Sequence, residues 1–261
     1  MSKETLSVLR QYAWNKYRSD WSKDKAFAFA KSFFQYLTKT HLDSRYVAFN
    51  IFLERPKALK ERKLMTSRII TKQDIQNSLS HIENARLEGL ISHDKAQQYT
   101  AFVLFGAYTG QRSMATMSKL TVGQIREALQ STKPVLYVKP SQDKIKMAHW
   151  VPLHEQVIKA LRPLLDGRQD AMPVFQYTSF LNWVKRQKIS LSQISSHLIL
   201  RDLRKFAEQY GDIIQWDQSN RAYILTHGVS GVEWSHYRHP LPEYVYDVYM
   251  QYWRQTKFST A

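Results

Sequence analysis

From Ala96 to Tyr108 the chain carries no charged side chain, and Ala101-Phe102-Val103-Leu104-Phe105 forms its centre before Thr109-Gly110 ends it. A helix that is apolar on every side has to be covered on every side. The stretch therefore predicts a buried helix inside a domain large enough to enclose it. Gly110 provides the turn that brings Arg112 out of that core. Downstream, Val135 to Val138 and Ala148 to Pro152 read as strands flanking a polar turn with Ser141, Gln142, Asp143, Lys144 and Lys146, which makes a basic hairpin tip. Helical patterns follow from His154 to Leu165, Tyr177 to Lys188 and Leu198 to Tyr210. The expected fold class is mainly α with a small antiparallel β-sheet, that is, α+β.

The first part of the chain reads as a separate helical unit. Leu6, Leu9, Ala13 and Tyr17 form one stripe, Phe29, Phe33, Tyr36 and Leu37 a second, and Tyr46, Phe49, Asn50 and Leu53 a third. Core packing is the expected use of these aromatics. Lys3, Arg10, Lys16, Arg18, Lys23, Lys25, Lys31 and Lys39 lie between them and are available to phosphates or to solvent. Glu54-Arg55-Pro56 breaks the pattern, and the basic stretch from Lys57 to Arg68 has little apolar periodicity. Thr71 and Asp74 then look like a helix start. The expected organisation is a helical domain over residues 1–55, a basic linker over 56–70 and a second domain over 71–261.

With 38 Lys and Arg against 22 Asp and Glu, the 261-residue chain has a formal charge of +16. That surplus favours polyanions, nucleic acid before an anionic membrane, since no apolar run approaches the roughly 20 residues of a membrane span. No secretory signal pattern opens the chain, so an intracellular protein is expected. The absence of cysteine excludes disulfides and thiolate metal sites.

Two arginine-bearing stretches, Thr109-Gly110-Gln111-Arg112 and Arg201-Asp202-Leu203-Arg204, precede His227 and then Tyr237 in a Trp-Ser-His-Tyr-Arg-His segment. This order suits phosphodiester chemistry with a tyrosine nucleophile. Two guanidiniums on the non-bridging oxygens meet the charge that develops at a five-coordinate phosphorus. The pattern from Thr71 onward resembles the tyrosine recombinase (phage integrase) family. Arg112 looks like the first catalytic arginine of that family, Lys144 at the hairpin tip like its lysine, with Lys146 as the second choice, and Arg201 to Arg204 like the His-x-x-Arg box. His227 stands where the family has its Leu-Gly-His stretch, and Tyr237 resembles the nucleophile. Tyr244, Tyr246, Tyr249 and Tyr252 fall in an apolar helical stretch better explained by packing.

The resemblance implies a small helical DNA-clamping domain joined to a tyrosine-recombinase-like catalytic domain, catalytic roles for Arg112, Lys144, Arg201, Arg204, His227 and Tyr237, and neither metal nor nucleotide cofactor. It implies double-stranded DNA as partner, with a homotetramer on two attachment sites as the working assembly. Two departures stand out. Arg201 occupies the usual His or Lys position and cannot accept a proton, leaving His197, His236 and His239 as nearby imidazoles. The acid common after the first arginine is missing, since Ser113 to Ser118 contains only Ser, Met, Ala and Thr. Beside recombination, two other readings fit: a type IB topoisomerase-like nicking and resealing enzyme, and a DNA-binding relative without catalysis. The C-terminal helix is free, on sequence, to dock on a neighbour or on its own domain.

Overall fold

The computed structural model describes residues 3–41, 46–47, 68–227 and 241–259. The chain divides into two compact units, Met1–Ser67 and Arg68–Ala261. The described residues are mainly helical, with one two-stranded antiparallel sheet. Among them no helix is long and apolar enough to cross a membrane.

In the first unit, α1 (Lys3–Lys16) packs on α2 (Asp20–His41). The core is Ala13, Phe27 and Phe34, with Tyr17, Ala30, Leu37 and Tyr46 partly buried around it. This corrects the expected stripe on α2, because Phe29, Phe33 and Tyr36 are exposed. Phe27, Ala30, Phe34 and Leu37 are also at helical spacing, and with apolar residues on two faces of one helix periodicity does not say which face goes inward. Lysines cover part of the remaining aromatic surface: Lys23 Nζ lies 4.3 Å from the Trp14 ring centroid and Lys25 Nζ 5.4 Å from that of Trp21. Phe49, Asn50 and Leu53 lie outside the described residues.

The second unit is organised around the uncharged helix. Its first helix, α3 (Lys72–Leu87), starts on a capping box in which Thr71 Oγ1 accepts from the Asp74 amide and the Asp74 carboxylate accepts from the Thr71 amide at 2.7 Å. The central helix α4 (His93–Thr109) is capped at Ser92 and buries Ala101 to Phe105, Ala107 and Tyr108. It ends at Gly110, whose φ of +63° is left-handed and where a Cβ would come within 2.2 Å of Leu225 Cδ2, which leaves no room for one. A short helix, α5 (Val122–Ala128), follows, and the strands β1 (Val135–Val138) and β2 (His149–Pro152) pair Val135 with Pro152 and Val138 with His149. Leu136, Val138 and Val151 face the core, while the Tyr137 and Trp150 rings meet at 4.8 Å on the other side.

The remaining helices are α6 (Glu155–Leu161), α7 (Tyr177–Gln187), α8 (Arg201–Ile213), α9 (Gln218–Leu225) and α10 (Pro242–Trp253). Helices α3, α6 and α8 pack around α4. At Gly106 a Cβ would come within 2.7 Å of Leu203 Cδ1, so the glycine lets α4 and α8 approach closely. Helix α8 starts at Arg201 rather than Leu198, because Leu198 donates to the Ile189 carbonyl and His197 forms a β-bridge with Ser190, which keeps that stretch extended. Sequence reading missed α5 and α9. The first begins on a Thr121–Gln124 capping box and the second on an Asp217 cap.

Helix α10 and the residues after it dock on their own unit. Val245, Tyr249, Met250 and Trp253 are buried, and the Tyr249 hydroxyl donates to the Tyr108 carbonyl at 3.0 Å. Phe258 inserts beside Tyr108 and Phe206. Two side-chain amides then pair with the backbone as a strand would: Gln156 with Phe258 at 2.7 and 2.9 Å, and Gln76 with Ser259 at 2.7 and 2.8 Å. Tyr246 and Tyr252 are partly buried and Tyr244 is exposed.

Candidate active site

The turn at Gly110 is the organising point. Immediately after it, Gln111 is buried and donates from Nε2 to the Ile224 carbonyl near the end of α9 at 2.8 Å. Arg112 comes next, half-buried. Its Nη1 donates to Asp143 Oδ1 at 3.0 Å and to Thr226 Oγ1 at 2.7 Å. The Nε–Nη2 edge, which matches two oxygens of a phosphate, has no partner among the described residues.

Arg204 approaches the same turn from α8. Its Nη1 donates to the Gly110 carbonyl at 3.1 Å and its Nη2 to the Leu225 carbonyl at 2.6 Å, so the guanidinium closes the ends of two helices, α4 and α9. Burial, and then the charge of Arg112, lower Arg204 to about 10, which leaves it protonated at neutral pH. Two guanidiniums thus stand close enough to repel, an arrangement that an incoming anionic group would relieve.

His227 follows Thr226, the left-handed residue (φ +49°) that ends α9. Its amide donates to the Ala222 carbonyl at 3.0 Å, and its exposed ring sets Nδ1 2.8 Å from Glu208 Oε1, one turn beyond Arg204 on α8. The hairpin tip brings the acid. Asp143, buried, holds Arg112 and Thr226 through Oδ1 and accepts from the Ile145 and Met147 amides through Oδ2, at 3.1 and 3.4 Å. Lys144 is exposed within that turn, and Lys146, with φ +57°, is exposed at its far side.

The fold therefore brings Arg112, Arg204 and the Thr226–His227 pair around Gly110, with the Lys144 turn tied to Arg112 through Asp143. Arg201 is the exposed first residue of α8. His197 is exposed in the preceding loop, its carbonyl bonded by Arg68. Tyr237, His236 and His239 lie outside the described residues.

Four residues of this cluster were not singled out from sequence as site residues: Gln111, Asp143, His149 and Thr226. His149 is buried, with Nε2 3.3 Å from Gln111 Oε1, and desolvation lowers its pKa to about 4, so the ring is neutral. For Asp143 the sequence offers only its place as a lone acid at a lysine-rich hairpin tip, which does not by itself mark a site residue. The hydroxyl of Thr226 and the ring of His149 carry none, since their partners are distant in sequence.

No protein-family model matches the chain, and no curated protein is similar to it in sequence. Solved structures are similar in fold. A lambda integrase tetramer bound to a Holliday junction gives a TM-score of 0.55 at 16% identity, over 90% of this chain and 66% of that one. The integrase of the Tn1549 transposon, in complex with circular intermediate DNA, gives 0.53 at 12% identity, over 90% of this chain and 81% of that one. The chain has the fold of the tyrosine recombinases.

Proposed function

We propose that this chain is a site-specific DNA recombinase of integrase type, which cuts and rejoins DNA through a 3′-phosphotyrosyl intermediate. The observation that carries the reading is the convergence of Arg112 and Arg204 on one turn, with an open guanidinium edge on Arg112 and His227 beside them. The fold is one on which integrases act on DNA junctions and circular intermediates, and the charge of +16 suits that substrate.

In the proposed reaction the Tyr237 hydroxyl oxygen attacks the scissile phosphorus as its proton passes to water, which later returns one to Lys144, since Arg201 cannot accept it. A P–O bond to tyrosine forms as the P–O5′ bond breaks, and the 5′ oxygen takes a proton from the Lys144 ammonium. Arg112 and Arg204 hold the non-bridging oxygens, and His227 donates a further hydrogen bond. Attack by a 5′-hydroxyl reverses the step, so bond energy is kept for rejoining. Arg201 serves as a cation near the phosphates. Residues 1–55 supply a second DNA-contacting unit joined by the basic linker, and four protomers on two DNA sites form the working assembly.

A nicked suicide duplex tests this, because the released fragment carrying the 5′-hydroxyl diffuses away and traps the adduct. The expected result is a covalent protein–DNA band on a denaturing gel that disappears in Tyr237→Phe. Tight binding to DNA with no band from the unaltered protein would exclude the reaction on that duplex, and repetition across a pool of duplexes would refute it.

A further inference from the structure

We infer that Asp143 is the positioning residue that makes the first arginine and the hairpin lysine one unit, and that it supplies from the hairpin the acid missing after Arg112. The inference rests on the proposed reaction and names a residue for it.

Its carboxylate is divided between two tasks. Oδ1 faces Arg112 Nη1 and Thr226 Oγ1, and Oδ2 takes the amides of Ile145 and Met147. Every oxygen is therefore spent on an element that borders the site: the turn after α4, the end of α9, and the hairpin tip. The side chain of Asp143 is fully buried while that of Arg112 keeps 22% of its surface exposed, so the charge pair is closed on the acid's side and open on the arginine's.

Two consequences follow for chemistry. Fixing Nη1 orients the planar guanidinium, which leaves its Nε–Nη2 edge turned to a ligand with little freedom left to lose. Fixing the amides on either side of Lys146 helps to set the turn on which Lys144 stands, so one side chain holds both Arg112 and the turn that carries the lysine. Ser113 to Ser118 cannot do this, as Ser113 Oγ is already bonded to the Leu200 carbonyl and no acid is present there.

The experiment compares two nicked duplexes, one ordinary and one with sulfur at the bridging 5′ position, in single-turnover cleavage. A thiolate leaves without protonation, so the sulfur substrate does not need the proton that Lys144 gives. Asp143→Asn is expected to slow the ordinary substrate by about 10²-fold or more. On the sulfur substrate the Asp143→Asn and Lys144→Ala defects should both shrink at least tenfold, whereas that of Arg112→Ala should not. An equal Asp143→Asn defect on both substrates, or no defect, overturns the inference. Asp143→Glu, which keeps the charge, is the second variant and should fall between. Amide hydrogen exchange gives a readout that needs no turnover. Exchange at Ile145 and Met147 should quicken in Asp143→Asn while the core of α4 stays protected, and unchanged exchange overturns the inference even if the protein proves to cut no DNA. If the unaltered protein cuts neither substrate but exchange changes as expected, the proposed reaction fails and the anchoring role stands.

Discussion

Arg68 and Asp202, 134 residues apart in sequence, meet in a two-point ion pair, Nε to Oδ1 and Nη2 to Oδ2, both at 2.7 Å. The carboxylate is fully buried and raises the pKa of the arginine further. It also accepts from the Ile199 amide at 2.8 Å. The second unit therefore begins at Arg68, within the stretch that composition assigns to the linker, and its first residue is fastened to the helix that carries Arg204. Arg68→Ala strands a buried carboxylate and is expected to lower the stability of this unit by about 3–5 kcal/mol. Urea denaturation should show the midpoint falling accordingly; a loss below about 1 kcal/mol would mean that the pair does not anchor the unit.

Acid should destabilise the protein partly through His149. Its folded pKa, about 4, lies below the ordinary 6.5. The unfolded state thus takes up the proton first as pH falls. The stabilisation is complete above about pH 6.5 and is lost between 6.5 and 4, to the extent of roughly 3 kcal/mol. Denaturation of wild type and His149→Gln at pH 7.5 and 4.5 isolates the contribution, since carboxylates common to both cancel. Equal acid sensitivity in the two proteins would rule this out.

Either arginine should be irreplaceable for the proposed cutting. Arg112→Ala and Arg204→Ala are each expected to reduce the single-turnover rate of adduct formation by about 10²–10³-fold. Arg112→Lys should recover little, because an ammonium offers no two-point edge. Recovery to near the wild-type rate would show that charge alone suffices.

Gly110→Ala tests the turn itself. The left-handed backbone and the contact with Leu225 together predict a loss of about 1–3 kcal/mol. The variant should also cut slowly when folded, as the Gly110 carbonyl receives Arg204. Thermal melting and cleavage at a temperature well below the transition separate the two effects.

Much of the second unit was legible because its signals are local. The uncharged run, the alternation of Val135 to Val138, and the Thr71–Asp74 cap each depend on neighbours within a few residues. Tyr249 is buried, and the packing role of the apolar stretch that carries it was also legible. Asp143 was not, since its worth lies in Thr226 and Arg112, 83 and 31 residues away. Nor was the inward face of α2, where Phe27 and Phe34 compete with Phe29 and Phe33 for the same role. Equally illegible was the docking of the residues after α10, where Gln76 and Gln156 bond Ser259 and Phe258 with side chains that imitate a strand edge no local pattern announces.

The two carbonyls held by Arg204 give that residue a diagnostic meaning. A side chain that closes the ends of α4 and α9 is needed for the architecture whether or not DNA is ever cut, so selection for folding alone would preserve it. Its presence in a diverged sequence is thus poor testimony to activity. Arg112 is the better witness at one edge only. Its Nη1 pairs with the buried Asp143, which folding needs, whereas its Nε–Nη2 edge has no partner among the described residues. In a lineage that had abandoned cutting, a lysine that kept the ion pair would therefore serve as well.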